Sequence, residues 1–169
     1  MKLNIVKFPE PVLSQPGEPV TEFNEDLRKF VADMFETMYA AQGIGLAAPQ
    51  VAVSKRVTVI DLSCGKEPDE KLVLVNPEII AREGSQYEEE GCLSFPDIRE
   101  KIKRNFKVTV RAQDENGEWF EMDGEELLSR AFQHEIDHLD GVLFTQRMSP
   151  LKRDLALRRI RKMQREGAW

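Results

Sequence analysis

The chain has 169 residues, 41% of them apolar, which is enough for one domain around a sizeable core. Its formal net charge of −6 excludes a general nucleic-acid binder, so no DNA partner is expected. No run of about 18 apolar residues is present, which excludes a membrane-spanning helix.

The start, MKLNIVKFPEP, lacks the charged, apolar and small-residue succession of a secretory signal. Two cysteines far apart make no disulfide framework, so a cytoplasmic setting is expected. Pro9, Pro11, Pro16 and Pro19 break residues 1–23 into short apolar pieces. These predict an extended lead-in laid on the body.

Asn24 reads as a helix cap, with Glu25 and Asp26 in the first turn where their charge is favoured. Leu27, Phe30, Val31, Met34, Phe35, Met38 and Tyr39 then recur at helical spacing and predict a core-facing helix. Gly43–Gln50, GIGLAAPQ, follows with no charged residue. It is either a tight backbone crossing or the wall of a site with Gln50 as a neutral donor.

Val57–Leu62 alternates like a strand, and Leu72–Val75 is a second apolar run that Asn76-Pro77 should stop. The polar, turn-like Ser63–Glu70 lies between them and carries Cys64. Cys92 is placed on a loop. Phe106–Ala112 and Glu118–Met122 predict a hairpin turned by Asn116-Gly117.

A helix should follow, capped by Asp123 with Glu126 as reciprocal partner and ended by Gly141. Leu127, Leu128, Ala131, Phe132 and Leu139 supply its apolar surface. The last helix should start at Ser149-Pro150. Residues 151–169 hold seven Lys or Arg against Asp154 and Glu166, a local net charge of +5. This is either a solvated face or a contact for something acidic. These elements predict a single α+β domain over 1–169, with a mixed or antiparallel sheet around a central helix and helices near both ends.

Both histidines of the chain lie in that central helix, in AFQHEIDHLDG. His134 and His138, four residues apart, share one helix face and can offer ring nitrogens to one metal ion. Glu135 beside them is placed to take a proton from water, as in HExxH hydrolases.

A metallopeptidase of the familiar kind takes its third ligand downstream, but residues 139–169 contain no histidine and a single glutamate, Glu166. The soft ligand available upstream is Cys92, in Glu90–Ser94 (EGCLS). A Cys/His/His set leaves one position open for catalysis. Were Cys64 to join it, the site would be closed and structural.

Together and in this order, GIGLAAPQ, EGCLS and QHEIDH resemble the peptide deformylases, and the resemblance runs over essentially the whole chain. It implies removal of the formyl group from N-formylmethionyl nascent peptides. It implies one divalent metal ion, Fe²⁺ in the cell and replaceable by Zn²⁺, Ni²⁺ or Co²⁺, on Cys92, His134 and His138. By position Glu135 is the general base and acid, while Gln50 and the Leu93 N–H face the developing oxyanion. Ile44 and Gly45 line the substrate path, Arg99 lies near the peptide backbone, and Leu127 and Ala131 surround the methionine side chain.

Glu88 and Arg130 stand where the family often has apolar residues. They either pair at the pocket rim or widen tolerance at the first residue. A monomer with no membrane partner is expected, and Leu151–Arg165 resembles the helix through which some family members dock on the ribosome.

Overall fold

Asn24 starts the first helix as its context predicts, its side chain accepting the Leu27 N–H at 3.1 Å. The computed structural model describes residues 1–169, and this helix, α1, spans Glu25–Ala40. The strands follow as β1 (Gly45–Ala47), β2 (Val57–Ile60), β3 (Leu72–Glu83), β4 (Gln86–Cys92), β5 (Phe95–Arg104), β6 (Lys107–Gln113) and β7 (Trp119–Glu125). Helices α2 (Glu126–Leu139) and α3 (Pro150–Arg165) complete the α+β order.

Five strands form one sheet in the order β1-β2-β3-β6-β7, antiparallel throughout, and β4 and β5 form a separate antiparallel pair. Helix α2 lies between them. Its Ala131, Phe132 and Ile136 pack on Ile60, Leu74, Val108 and Val110 of the larger sheet. On its other side Phe95, Ile98 and Ile102 of β5 join Phe144, Met148 and Ile160 in a separate apolar cluster. A third cluster joins α1 to β1 and β2 through Val31, Met34, Met38, Leu46 and Val59. Packing on both sides makes α2 the most enclosed of the three helices, and residues 129–139 are all buried. No helix is long and apolar enough to cross a membrane.

Several boundaries differ from the sequence expectation. Strand β3 does not stop at Asn76-Pro77. Its pairing with β6 slips between Val75 and Glu78, and this bulge absorbs the proline that cannot donate. Asn76, at φ +51°, offers its side chain instead, bonding the Val20 N–H and C=O at 2.8 and 2.9 Å and Gln113 at 2.8 Å.

Asp123 is not the cap of α2. It belongs to β7, where it accepts the Thr109 hydroxyl at 2.6 Å, and the helix begins without a side-chain cap at Glu125. Cys92 lies on a strand, not a loop, as the last residue of β4. Two expectations hold at helix ends: Ser149 caps α3 by accepting the Lys152 N–H, and Gly141 closes α2 at φ +75°. A Cβ at Gly141 would also meet the backbone of Ser14 and Gln15 at 2.8–3.0 Å, so glycine is required there twice over.

Candidate metal centre and active site

One helical turn separates His134 from His138, and since the opposite face of α2 is committed to the large sheet, both rings turn toward the end of β4. There the β4–β5 connection is only Leu93-Ser94, which fixes Cys92 at the rim of the small sheet. The ligand atoms of Cys92, His134 and His138 all lie within 4.8 Å of one another. The two Nε2 atoms are 3.2 Å apart, and Cys92 Sγ is 3.4 Å from His138 Nε2. A tetrahedral ion with bonds of about 2.0–2.3 Å holds such atoms about 3.3–3.6 Å apart, so the trio fits a divalent metal. Cys64 is not part of it, because its Sγ points to the Gly43 carbonyl oxygen at 3.3 Å.

Behind the ligands lies a buried charge network. His134 Nδ1 lies 2.8 Å from Glu90 Oε1, a bond that leaves Nε2 for the metal. Glu90 also accepts Arg104 at 2.8 and 3.0 Å and the Arg130 guanidinium. Arg104 reaches on to Asp137 at 2.7 Å, and Asp137 accepts Arg147 at 2.8 and 3.0 Å. Burial works against the charge on Glu90, but Arg104 and His134 hold its carboxyl well below the usual range. Burial likewise opposes charge on His134, yet Cys92 and Glu90 raise it well above the ordinary imidazole value. His138, buried and beside His134, is held well below that value. Surroundings that favour a cationic His134 also favour a metal cation.

Glu135 follows His134 and faces the cleft from the same turn. Burial, opposed by His134 and reinforced by Glu90, pushes its carboxyl up to about 7. Its Oε1 is buried with no hydrogen-bond partner, which leaves it free for a group arriving from the cleft. Gly45 makes room for it, since a Cβ there would stand 2.7 Å from Glu135 Oε2.

Gln50 is fixed by the 3₁₀ turn at Ala48–Val51, where its Oε1 accepts the Ala47 N–H at 2.9 Å. That orients Nε2 toward Ser94 Oγ at 3.2 Å and Cys92 Sγ at 3.7 Å. The Leu93 N–H donates to no backbone carbonyl or side chain of the protein. Two neutral donors therefore flank the trio.

A polypeptide deformylase family model matches residues 2–154. The chain belongs to the polypeptide deformylase family. It is 77% identical over 165 residues to a peptide deformylase of Acidobacterium capsulatum, covering 98% of this chain and 97% of that one. A crystal structure of a peptide deformylase from Legionella pneumophila superposes with a TM-score of 0.92 at 46% identity, over 99% and 98% of the two chains. The Plasmodium falciparum enzyme gives 0.91 at 36% identity, over 96% of each.

The deformylase cleft has a volume of about 750 Å³ and is lined by both glutamate and glycine walls of the site. Ile44, Gly45, Gln50, Cys92, Leu93, Arg99, Leu127, Arg130, Ala131, His134 and Glu135, all singled out from sequence, meet in it. His138 stands behind it as a fully enclosed ligand.

Glu88 does not line the cleft. It is exposed on β4 and makes no ion pair with Arg130, which is buried against Glu90 and Gln86. Glu88 shares its strand face with Glu90, but only Glu90, nearer the end of β4, is buried against Arg104 and Arg130. Sequence reasoning gave no role to Glu90, Arg104 or Asp137. Glu90 stood inside a quoted motif and Asp137 inside the histidine turn, but nothing local marked Arg104 as their partner.

Proposed function

We propose that this chain is a metal-dependent hydrolase that removes the formyl group from N-formylmethionyl peptides and releases formate. The observation that carries this reading is the Cys92/His134/His138 trio with Glu135 beside it and an open cleft in front. Bound there, a divalent cation supplies Lewis acidity and makes water acidic enough to react near neutral pH. The thiolate and two imidazoles suit a borderline ion, and Fe²⁺ is the resident metal in this reading.

Glu135 takes the proton of the attacking water and delivers it to the departing amine. Its unpartnered Oε1 and its elevated pKa support both halves of that transfer. Gln50 Nε2 and the Leu93 N–H donate to the formyl oxygen as charge grows on it, and loss of one such donor typically costs about 3–4 kcal/mol in the barrier. Ile44, Leu127 and Ala131 offer the methionine side chain an apolar wall, with the His134 ring at its base. Arg99, at the rim and paired with Glu89 at 2.6 Å, borders the path of the peptide backbone.

The whole of 1–169 acts as one catalytic domain, since α2 packs on elements from both halves of the chain. The two free thiols suit a reducing, cytoplasmic setting. Helix α3 presents Arg153, Arg158, Arg159, Arg161, Lys162 and Arg165 to solvent, and this basic face supports docking on the phosphates of the ribosome.

The test is formate release from a formyl-Met tripeptide by anaerobically prepared protein. Formate appearing with the peptide chain intact supports the reading. Cleavage at internal bonds, or no reaction with metal bound, overturns it.

A further inference from the structure

We propose that Arg130 extends the substrate range of this cleft to formylated chains whose first residue bears a strong hydrogen-bond acceptor near its end, methionine sulfoxide being the form that fits. The inference rests on the deformylase reading above.

Arg130 is 4% exposed, yet it lines the cleft beside Ile44, Leu127 and Ala131. A guanidinium carries five N–H groups. The protein engages three, through Nη1 to Glu90 and through Nε and Nη2 to Gln86 Oε1 at 3.3 and 3.2 Å. Gln86 is itself anchored, donating to the Asn105 and Glu126 carbonyls at 3.0 and 2.9 Å, so the guanidinium is held from behind in one orientation. Two N–H groups are left without a protein partner in a side chain almost closed to solvent, and the cleft is where a partner can come from.

A thioether sulfur is a weak acceptor and uses such donors poorly. A sulfoxide carries one more oxygen on nearly the same chain, and a wholly apolar wall would reject it because its oxygen would be buried unpaired. With Arg130 in the wall, that oxygen gains a charge-assisted bond. The reaction is unchanged: water adds to the formyl carbon, the C–N bond breaks, formate leaves, the amine takes the proton, and the sulfoxide is untouched.

The experiment measures kcat/KM for peptides starting with formyl-Met, formyl-Met sulfoxide (each epimer) and formyl-norleucine. It uses metal-loaded wild type and Arg130→Leu. In the wild type the better sulfoxide epimer should fall within about tenfold of formyl-Met. In Arg130→Leu the sulfoxide-to-Met ratio should drop a further 10-fold to 100-fold, roughly the worth of a hydrogen bond to a charged group, while the norleucine-to-Met ratio stays within about threefold.

Ratios within one preparation do not depend on how much of it is active. A wild-type sulfoxide rate more than about tenfold below formyl-Met overturns the proposal, even should the variant fail to fold. So does a ratio unchanged in the variant. Absence of turnover on formyl-Met itself would instead count against the deformylase reading.

Discussion

Glu90 Oε1 lies 2.8 Å from His134 Nδ1, so a carboxylate on the small sheet sets which ring nitrogen of a helix residue faces the metal. The same carboxylate neutralises Arg104 and Arg130, all three side chains being about 4% exposed. Glu90→Gln keeps the shape but removes the charge. Metal affinity should fall about 10–100-fold, as for other lost partners of metal-bound histidines. Stability should fall by about 3–5 kcal/mol, because buried Arg130 loses its carboxylate partner and Arg104 keeps only Asp137. Chelator competition and denaturant unfolding read the two effects separately.

Glu135 is assigned proton transfer and no ligand role. Glu135→Gln should therefore retain the metal and lose turnover by at least about 10²–10⁴-fold. Metal content measured beside formate release checks this, and the two should part company in this variant.

Gly45 gives a sharper geometric prediction. A Cβ there would stand 2.7 Å from Glu135 Oε2 and 2.9 Å from its Cδ, so Gly45→Ala must displace that carboxylate. Turnover should drop about 10²-fold, the cost that follows a displacement near 1 Å in reacting groups, with metal content unchanged. A crystal structure of the variant would show Glu135 moved.

Away from the metal, Tyr39 donates to buried Asp61 at 2.5 Å, on the strand end that also receives Ser63 and Gly65. Burial opposes the charge on Asp61, but Ser63, Tyr39 and Gly65 lower its pKa below the ordinary 3.8. A depressed carboxyl adds stability above its unfolded pKa and loses it as pH falls through the folded one. Tyr39→Phe should cost about 1–3 kcal/mol at pH 7. The gap in Tm between variant and wild type should narrow as pH drops below 3.8, which thermal scans from pH 7 to 2.5 would follow.

The sequence made α1, α2 and α3 legible because caps and apolar spacing act within a few residues, as at Asn24 and Ser149. It also exposed the metal trio, since His134 and His138 are one turn apart and only two cysteines compete for the third place. Strands β4 and β5 were not legible. Gln86–Glu90 carries three glutamates in a row; its strand is held by the ladder to β5, and the one buried carboxylate, Glu90, is matched by Arg104, fourteen residues away, and by Arg130 of α2. Likewise Pro77 reads as a stop, and only the pairing with β6 shows that a bulge carries the strand past it. Asp123 makes a plausible cap until its bond to Thr109 across the sheet is seen. In each case the deciding partner is distant in sequence.

The coordination of the metal tests the account most directly. X-ray absorption at the edge of the bound metal, on anaerobically loaded wild-type protein, should give one sulfur, two imidazole nitrogens and one exchangeable light atom. Two sulfurs, meaning that Cys64 had swung in to close the site, or no sulfur at all, would contradict it.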